Sequence, residues 1–314
     1  MDPQQEFIPA TLGVPREKRK LLIAVLLTGA ISSVVSLVFV FYVPKLKVTP
    51  DVLVAVSFGT PLHNSLYVVN QKTHYFESLT MKNSEGNTLY ATSVASGEGG
   101  TRYFLLAKTA HEYTNTNLYA RATDGTLVQL TSSDSLKRNL SYDNTSKTFV
   151  YDVLASDGSA VITTYDETDK KEVTLSKGEN PVIITGGGRI LFQEGTELIQ
   201  LNTASRATST LATLPKNASY AVNPETGDVA IYNGVTGKID YFKSVYGFSL
   251  TYEKSDPFQR ILSFTYDKNQ LLFLTLKAFA HGSVYRLGDS QGAETLVFPS
   301  KENIGEPQRI YTYE

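Results

Sequence analysis

The chain has 314 residues, a formal net charge of −2 and 19% charged residues, so no bulk basic field draws it toward nucleic acid. It has no cysteine, which excludes disulfides, thiolate metal sites, a cysteine nucleophile and a lipidated cysteine anchor. Apolar residues make up 41%, enough for a core, and 19 Tyr and 15 Phe without a Trp lean the composition toward strands.

Residues 1–20 hold prolines and no apolar period, which predicts a short cytoplasmic tail. Residues 21–43, LLIAVLLTGAISSVVSLVFVFYV, carry no charge. As a helix this run would extend about 35 Å, enough to cross a hydrocarbon layer about 30 Å thick. A cleaved signal peptide would have a shorter apolar region and a small-x-small exit. Arg16, Lys18, Arg19 and Lys20 precede the run, and Lys45 and Lys47 follow it, which favours an N-terminus inside the cell. The expectation is a single-pass signal-anchor in the cytoplasmic membrane. Gly29 with Ser33, and Ser32 with Ser36, offer small-residue pairs for homo-oligomer contacts between such helices. Pro44 ends the helix, and residues 44–50 form a linker.

From residue 51 to 314 the pattern changes to short alternating segments separated by Gly, Asn, Asp and Ser, the mark of an all-β domain. A turn recurs as SGEGG (Ser96–Gly100), DNTSK (Asp143–Lys147), GGGR (Gly186–Arg189), NPETGD (Asn223–Asp228) and DKNQ (Asp267–Gln270). The turns lie about 37 to 47 residues apart, matching the period of propeller blades. An apolar strand follows each turn, then two strands joined by a polar hairpin. NLYARATDGTLVQLT (Asn117–Thr131) is the clearest example, with Asp124-Gly125 at its tip. Five units of four strands begin near Leu89, Arg138, Pro181, Ala218 and Arg260. Three strands precede them: DVLVAVSF, SLYVVNQ and HYFESLT. One strand is left over at the end, QRIYTYE (Gln308–Glu314), echoing FQRILSFTYD and LKRNLSYD at the starts of earlier units. Three plus one makes a sixth blade. The expected fold is an all-β, six-bladed propeller closed by pairing of its last strand with its first, which removes open sheet edges.

The Asn117–Thr131 unit resembles the third and fourth strands of TolB-type (WD40-like, PD40) propeller repeats, where an apolar strand, an Asp-Gly turn and a terminal Leu-Thr recur. YDNTSKTFVYDV and NPETGDVAIYN are similar to that family's first turn and second strand. The family's Trp-Ser-Pro-Asp-Gly is absent, with Asn223-Pro224-Glu225 the nearest match. The resemblance spans most of residues 51–314 and implies an extracytoplasmic protein-binding module.

Gly186-Gly187-Gly188 has the look of a phosphate loop, but a strand follows it where a helix N-terminus is needed, so it reads as a turn. No Gly-x-Ser-x-Gly elbow occurs. His63, His74, His111 and His281 have no metal-ligand spacing. Asp166, Glu167 and Asp169 lack the remainder of a calcium loop and read as a hairpin tip. No catalytic, cofactor or metal residue is assigned. One constellation remains. Arg138, Lys216, Arg260 and Arg309 each fall at or just before the first strand of a unit. In a propeller those starts ring one mouth of the central channel, where four cations would attract an anionic ligand or an acidic partner loop.

The leading functional expectation is a membrane-anchored extracytoplasmic propeller that binds protein partners within a cell-envelope assembly, without enzymatic activity. An envelope hydrolase or lyase with its site in the central channel is the second. A propeller facing the cytoplasm as a tethered assembly platform is the third.

Overall fold

The computed structural model describes residues 53–59, 64–69, 76–109, 115–243, 248–253, 259–267, 270–279, 282–289, 294–299 and 306–313. The expected membrane segment 21–43 and all four histidines lie outside the described residues. Among the described residues no helix is long and apolar enough to cross a membrane. The chain divides into two units, 1–47 and 48–314, and every described residue belongs to the second.

The described strands form six antiparallel sheets. The first contains β1 (Leu53–Gly59), β2 (Asn64–Val69) and β3 (Phe76–Ser78). The second contains β4 (Thr80–Lys82), β5 (Thr88–Ser96), β6 (Arg102–Ala107), β7 (Asn117–Arg121) and β8 (Leu127–Gln129). The third contains β9 (Leu136–Asp143), β10 (Thr148–Leu154), β11 (Ala160–Asp166) and β12 (Lys171–Lys177). The fourth contains β13 (Glu179–Ile184), β14 (Arg189–Glu194), β15 (Glu197–Asn202) and β16 (Thr208–Thr213). The fifth contains β17 (Ala218–Val222), β18 (Val229–Asn233), β19 (Lys238–Lys243) and β20 (Phe248–Glu253). The sixth contains β21 (Gln259–Asp267), β22 (Gln270–Phe279), β23 (Gly282–Asp289) and β24 (Glu294–Pro299). The last strand, β25 (Glu306–Tyr313), returns to the first sheet. It pairs antiparallel with β1, from Leu53 opposite Tyr313 to Gly59 opposite Glu306. The echo in QRIYTYE therefore has a structural meaning: it supplies the edge strand that the first three lack.

Burial explains why the second strands of the units in the second, third and fourth sheets are largely apolar. In β6, β10 and β14 four or more residues in a row are intermediate or buried on both faces, whereas the outer strands β12 and β16 are mostly exposed. A strand covered on both faces cannot alternate apolar and polar residues. The core lies between sheets. Leu66 and Tyr311 pack with Val94 and Phe104, joining the first and second sheets. Leu105 with Phe149 joins the second to the third, and Ile162 with Phe192 the third to the fourth. Leu191 with Ile231, and Ile239 with Phe273, continue the series to the fifth and sixth sheets. Contact between β21 and β25 links the sixth sheet to the first. Burying each such side chain contributes about 1.5–3 kcal/mol.

One expected strand is divided. HYFESLT was expected as a single third strand, but it changes sheets at Leu79: β3 pairs with β2, and β4 pairs with β5. The Leu79 N–H donates to Leu66 O at 2.9 Å, and Leu79 O accepts from the Ala91 N–H at 3.0 Å. The residue thus bonds to both sheets, and the crossing seats Met81 in the core they share.

Candidate functional site

The first strand of each unit, together with β25, lines one cavity of about 820 Å³. Residues 138 to 145 all lie on its wall, so it runs the length of β9 and into the following turn, about 23 Å at strand rise. The wall is built on irregular strands. The pairing register of β5, β9, β13, β21 and β25 shifts by a residue partway along each strand. Asn139 and Asn180 take positive φ at two of these bulges, 56° and 55°, a conformation asparagine tolerates better than most residues. A bulge re-aims the neighbouring side chains. Here it brings Arg138, Asn139, Glu179 and Asn180 to one end of the cavity.

At that end Arg138 is 7% exposed and faces Asp152, which is fully buried. Arg138 Nε and Nη2 both donate to Asp152 Oδ2, at 3.1 and 2.5 Å, and Asn139 Nδ2 donates to Oδ1 at 2.9 Å. Glu179 Oε2 lies 3.8 Å from Arg138 Nη2. Burial pushes the Asp152 carboxyl above its ordinary value, while Arg138 and Asn139 pull it back down.

Side-chain hydrogen bonds join neighbouring first strands. Ser93 Oγ on β5 is 2.9 Å from the Tyr311 hydroxyl on β25 and accepts from the Leu140 N–H of β9 at 2.9 Å. Ser141 Oγ accepts from the Ile183 N–H of β13 at 3.3 Å. The Tyr220 hydroxyl on β17 donates to Asn180 O at 2.7 Å, and the Thr185 N–H donates to Pro224 O at 2.7 Å. Burial raises the hydroxyl pKa of both Tyr220 and Tyr311, so both stay protonated at physiological pH, Tyr220 as a donor and Tyr311 as an acceptor from Ser93 Oγ.

At the opposite end the repeated turns contribute. Asp143 accepts from the N–H groups of Thr145 and Ser146 and from the Ser146 hydroxyl, at 2.6 to 3.2 Å. The Gly186–Gly188 triplet is the turn between β13 and β14. Gly187 has φ +67°, and a Cβ there would stand 2.5 Å from Ser146 Oγ of the third sheet, so the glycine permits close contact between two sheets. Asp166 caps its own hairpin, accepting from the N–H groups of Thr168 and Asp169.

Of the four cations singled out in the sequence, Arg138 and Arg309 reach the cavity wall. Lys216 is exposed on the link before β17 and does not line the cavity. Arg260 lies on β21 opposite Leu276, and its side chain is outside the described residues. The guanidinium of Arg309 lies 5.4 Å from the Tyr311 ring centroid. The sequence reading missed the partners of Arg138. A signal was present: Asp152 is the lone carboxylate within the apolar run TFVYDVL, and it stands opposite Arg138 in the pairing register.

No protein-family model matches the chain, and no curated protein matches it. Among solved structures it is similar to TolB from Acinetobacter baumannii, with TM-score 0.56 and 10% identity over 84% of this chain and 66% of TolB. It therefore spans a little under two thirds of TolB's length. It is also similar to a chain in the crystal structure of a nidogen/laminin complex, with TM-score 0.53 and 8% identity over 83% of this chain and 98% of that one. The fold is a β-propeller. The cavity lies where the innermost strands of a propeller converge, and its wall is tied strand to strand by the hydrogen bonds described above.

Proposed function

We propose that this propeller is a protein-binding module, six-bladed and closed by β25, held outside the cytoplasmic membrane by the 21–43 helix as part of a cell-envelope assembly. The observation that carries the reading is how the wall uses its polar groups. Ser93, Ser141, Tyr220 and Tyr311 join sheet to sheet, and Asp152 holds Arg138 in place. A stapled wall of this kind makes a rigid frame that presents loops over a broad face. The similarity to a chain from a nidogen/laminin complex, itself an assembly of proteins, supports the same use. The uncharged 21–43 run with its preceding cluster of Arg and Lys supports the anchor and its orientation.

The partner contact is assigned to the rim at the starts of the first strands. Exposed Lys216 and half-buried Arg309 would meet an acidic segment there, Arg260 occupies the equivalent position on β21, and Arg138 supports the rim through Asp152. A photo-crosslinking residue at position 216, in native membranes, is expected to capture a protein, and Lys216→Glu is expected to weaken the complex. Capture only at positions on the opposite turns, such as Glu98, would refute the rim assignment. Protease shaving of intact cells tests the orientation: a propeller protected from external protease would overturn it.

A further inference from the structure

The interior of the cavity has a chemistry of its own, separate from partner contact at the rim. Its wall includes four tyrosines, Tyr220 and Tyr266 with Tyr142, whose ring also stacks on Phe149, and the nearly buried Tyr311. Asn180 brings an amide, which donates and accepts hydrogen bonds at once, and Asn139 a second, one N–H of which is held by Asp152. Among the described residues, Arg138 and Arg309 at the arginine end are matched by Asp152 and Glu179, two cations against two carboxylates. At the other end the Asp143 carboxylate is already committed to three donors of its own turn, and the remaining wall carboxylate, Glu225, is exposed to solvent. An anionic ligand would give up water here against a wall with no surplus of cations, and a cationic one would find the carboxylates paired, hydrogen-bonded or hydrated, which is unfavourable for either. A neutral ligand rich in hydroxyls loses less water and finds partners of both kinds. The volume, about 820 Å³, falls within the range of sites that enclose small ligands, and the shape is elongated along β9.

An extended peptide fits this wall less well. Adding a strand requires a run of open backbone N–H and C=O groups on a sheet edge. The inner edges here are interrupted by bulges in β5, β9, β13, β21 and β25. Several of their backbone groups are also occupied: the N–H of Leu140, Ile183 and Thr185, and the carbonyl of Asn180. Side chains, not backbone ladders, remain to make contact.

We infer that the channel binds a short neutral oligosaccharide, with sugar rings against the tyrosines and hydroxyls on the asparagine amides. This stands apart from the proposed protein partner. The full-length chain, purified in a detergent without a sugar headgroup, would be titrated with maltotriose, cellotriose and chitotriose by calorimetry and saturation-transfer NMR. A neutral Ala/Ser/Thr heptapeptide would be titrated in parallel. Binding of at least one trisaccharide is expected. Asn180→Asp preserves the backbone preference at the bulge, and Tyr266→Leu removes a ring. Each should raise the trisaccharide Kd about tenfold or more, with melting curves confirming that the variants fold. Three outcomes would each overturn the inference: no trisaccharide binds, the peptide binds instead, or binding is equal in wild type and both variants. Loss of rim crosslinking with trisaccharide binding intact would count against the protein-binding reading alone.

Discussion

The third and fourth sheets have the same four-strand plan and adjoin one another, yet they are stabilised differently. The third buries Lys137, Arg138, Asp143 and Asp152. Lys137 is fully buried, donating to Ser133 Oγ and, at 2.9 Å, to Ser135 Oγ; it lies 3.6 Å from Glu172, to which the Tyr151 hydroxyl also donates. Burial lowers the Lys137 pKa, with Glu172 opposing. The fourth sheet buries Val182, Ile183, Ile184, Ile190, Leu191, Phe192, Leu198, Ile199 and Leu201, and no charged residue. An apolar interior is enough to hold a blade together. The Arg138–Asp152 pair therefore has another physical role, that of fixing Arg138 on the cavity wall. Buried ion pairs are weak sources of net stability, but removing one partner is costly.

Substitutions can break or sharpen this contrast. Asp152→Ala leaves Arg138 buried without its main counter-charge and should cost about 3–5 kcal/mol in denaturant unfolding. Replacing both, as Arg138→Met with Asp152→Leu, should restore stability to within about 1 kcal/mol of wild type while altering the channel mouth. If the double variant is as unstable as the single one, the pair is a structural mainstay and the contrast fails. Phe192→Ala, in the fourth sheet, should also cost about 3–5 kcal/mol, but through a cavity that no second change of charge repairs. Gly187→Ala, at the junction of the two sheets, should cost about 1–3 kcal/mol from its positive φ and the approach of Ser146. Ser93→Ala should cost about 1–2 kcal/mol, because the buried Leu140 N–H and Tyr311 hydroxyl lose their common partner. Calorimetric melting of each variant ranks these effects.

Much of the β domain was legible in the sequence because its repeats are local. The turns at Asp143–Lys147 and Asn223–Asp228 sit between the first and second strands of their sheets, and Asp124-Gly125 sits in a hairpin. Pairing of β25 with β1 followed from the echo in Gln308–Glu314 together with the count of five full units and three leading strands. The passage of residues 76–82 between two sheets was not legible, since a strand that changes partner keeps the same alternation. The site was legible only in part. Arg138 and Arg309 were marked by their place in the repeat, but the carboxylates that meet Arg138 come from β10 and β13, and the bulges depend on pairing that no single segment records.

Closure by the last strand is the claim on which the rest depends, because Ile310 and Tyr311 are buried and Tyr311 joins β25 to β5. Its most direct test is thermal unfolding of a variant lacking Gln308–Glu314. The account predicts one cooperative transition shifted down by about 10 °C or more, as expected for several kcal/mol in a domain of this size. A truncated chain that melts at the wild-type temperature would contradict it.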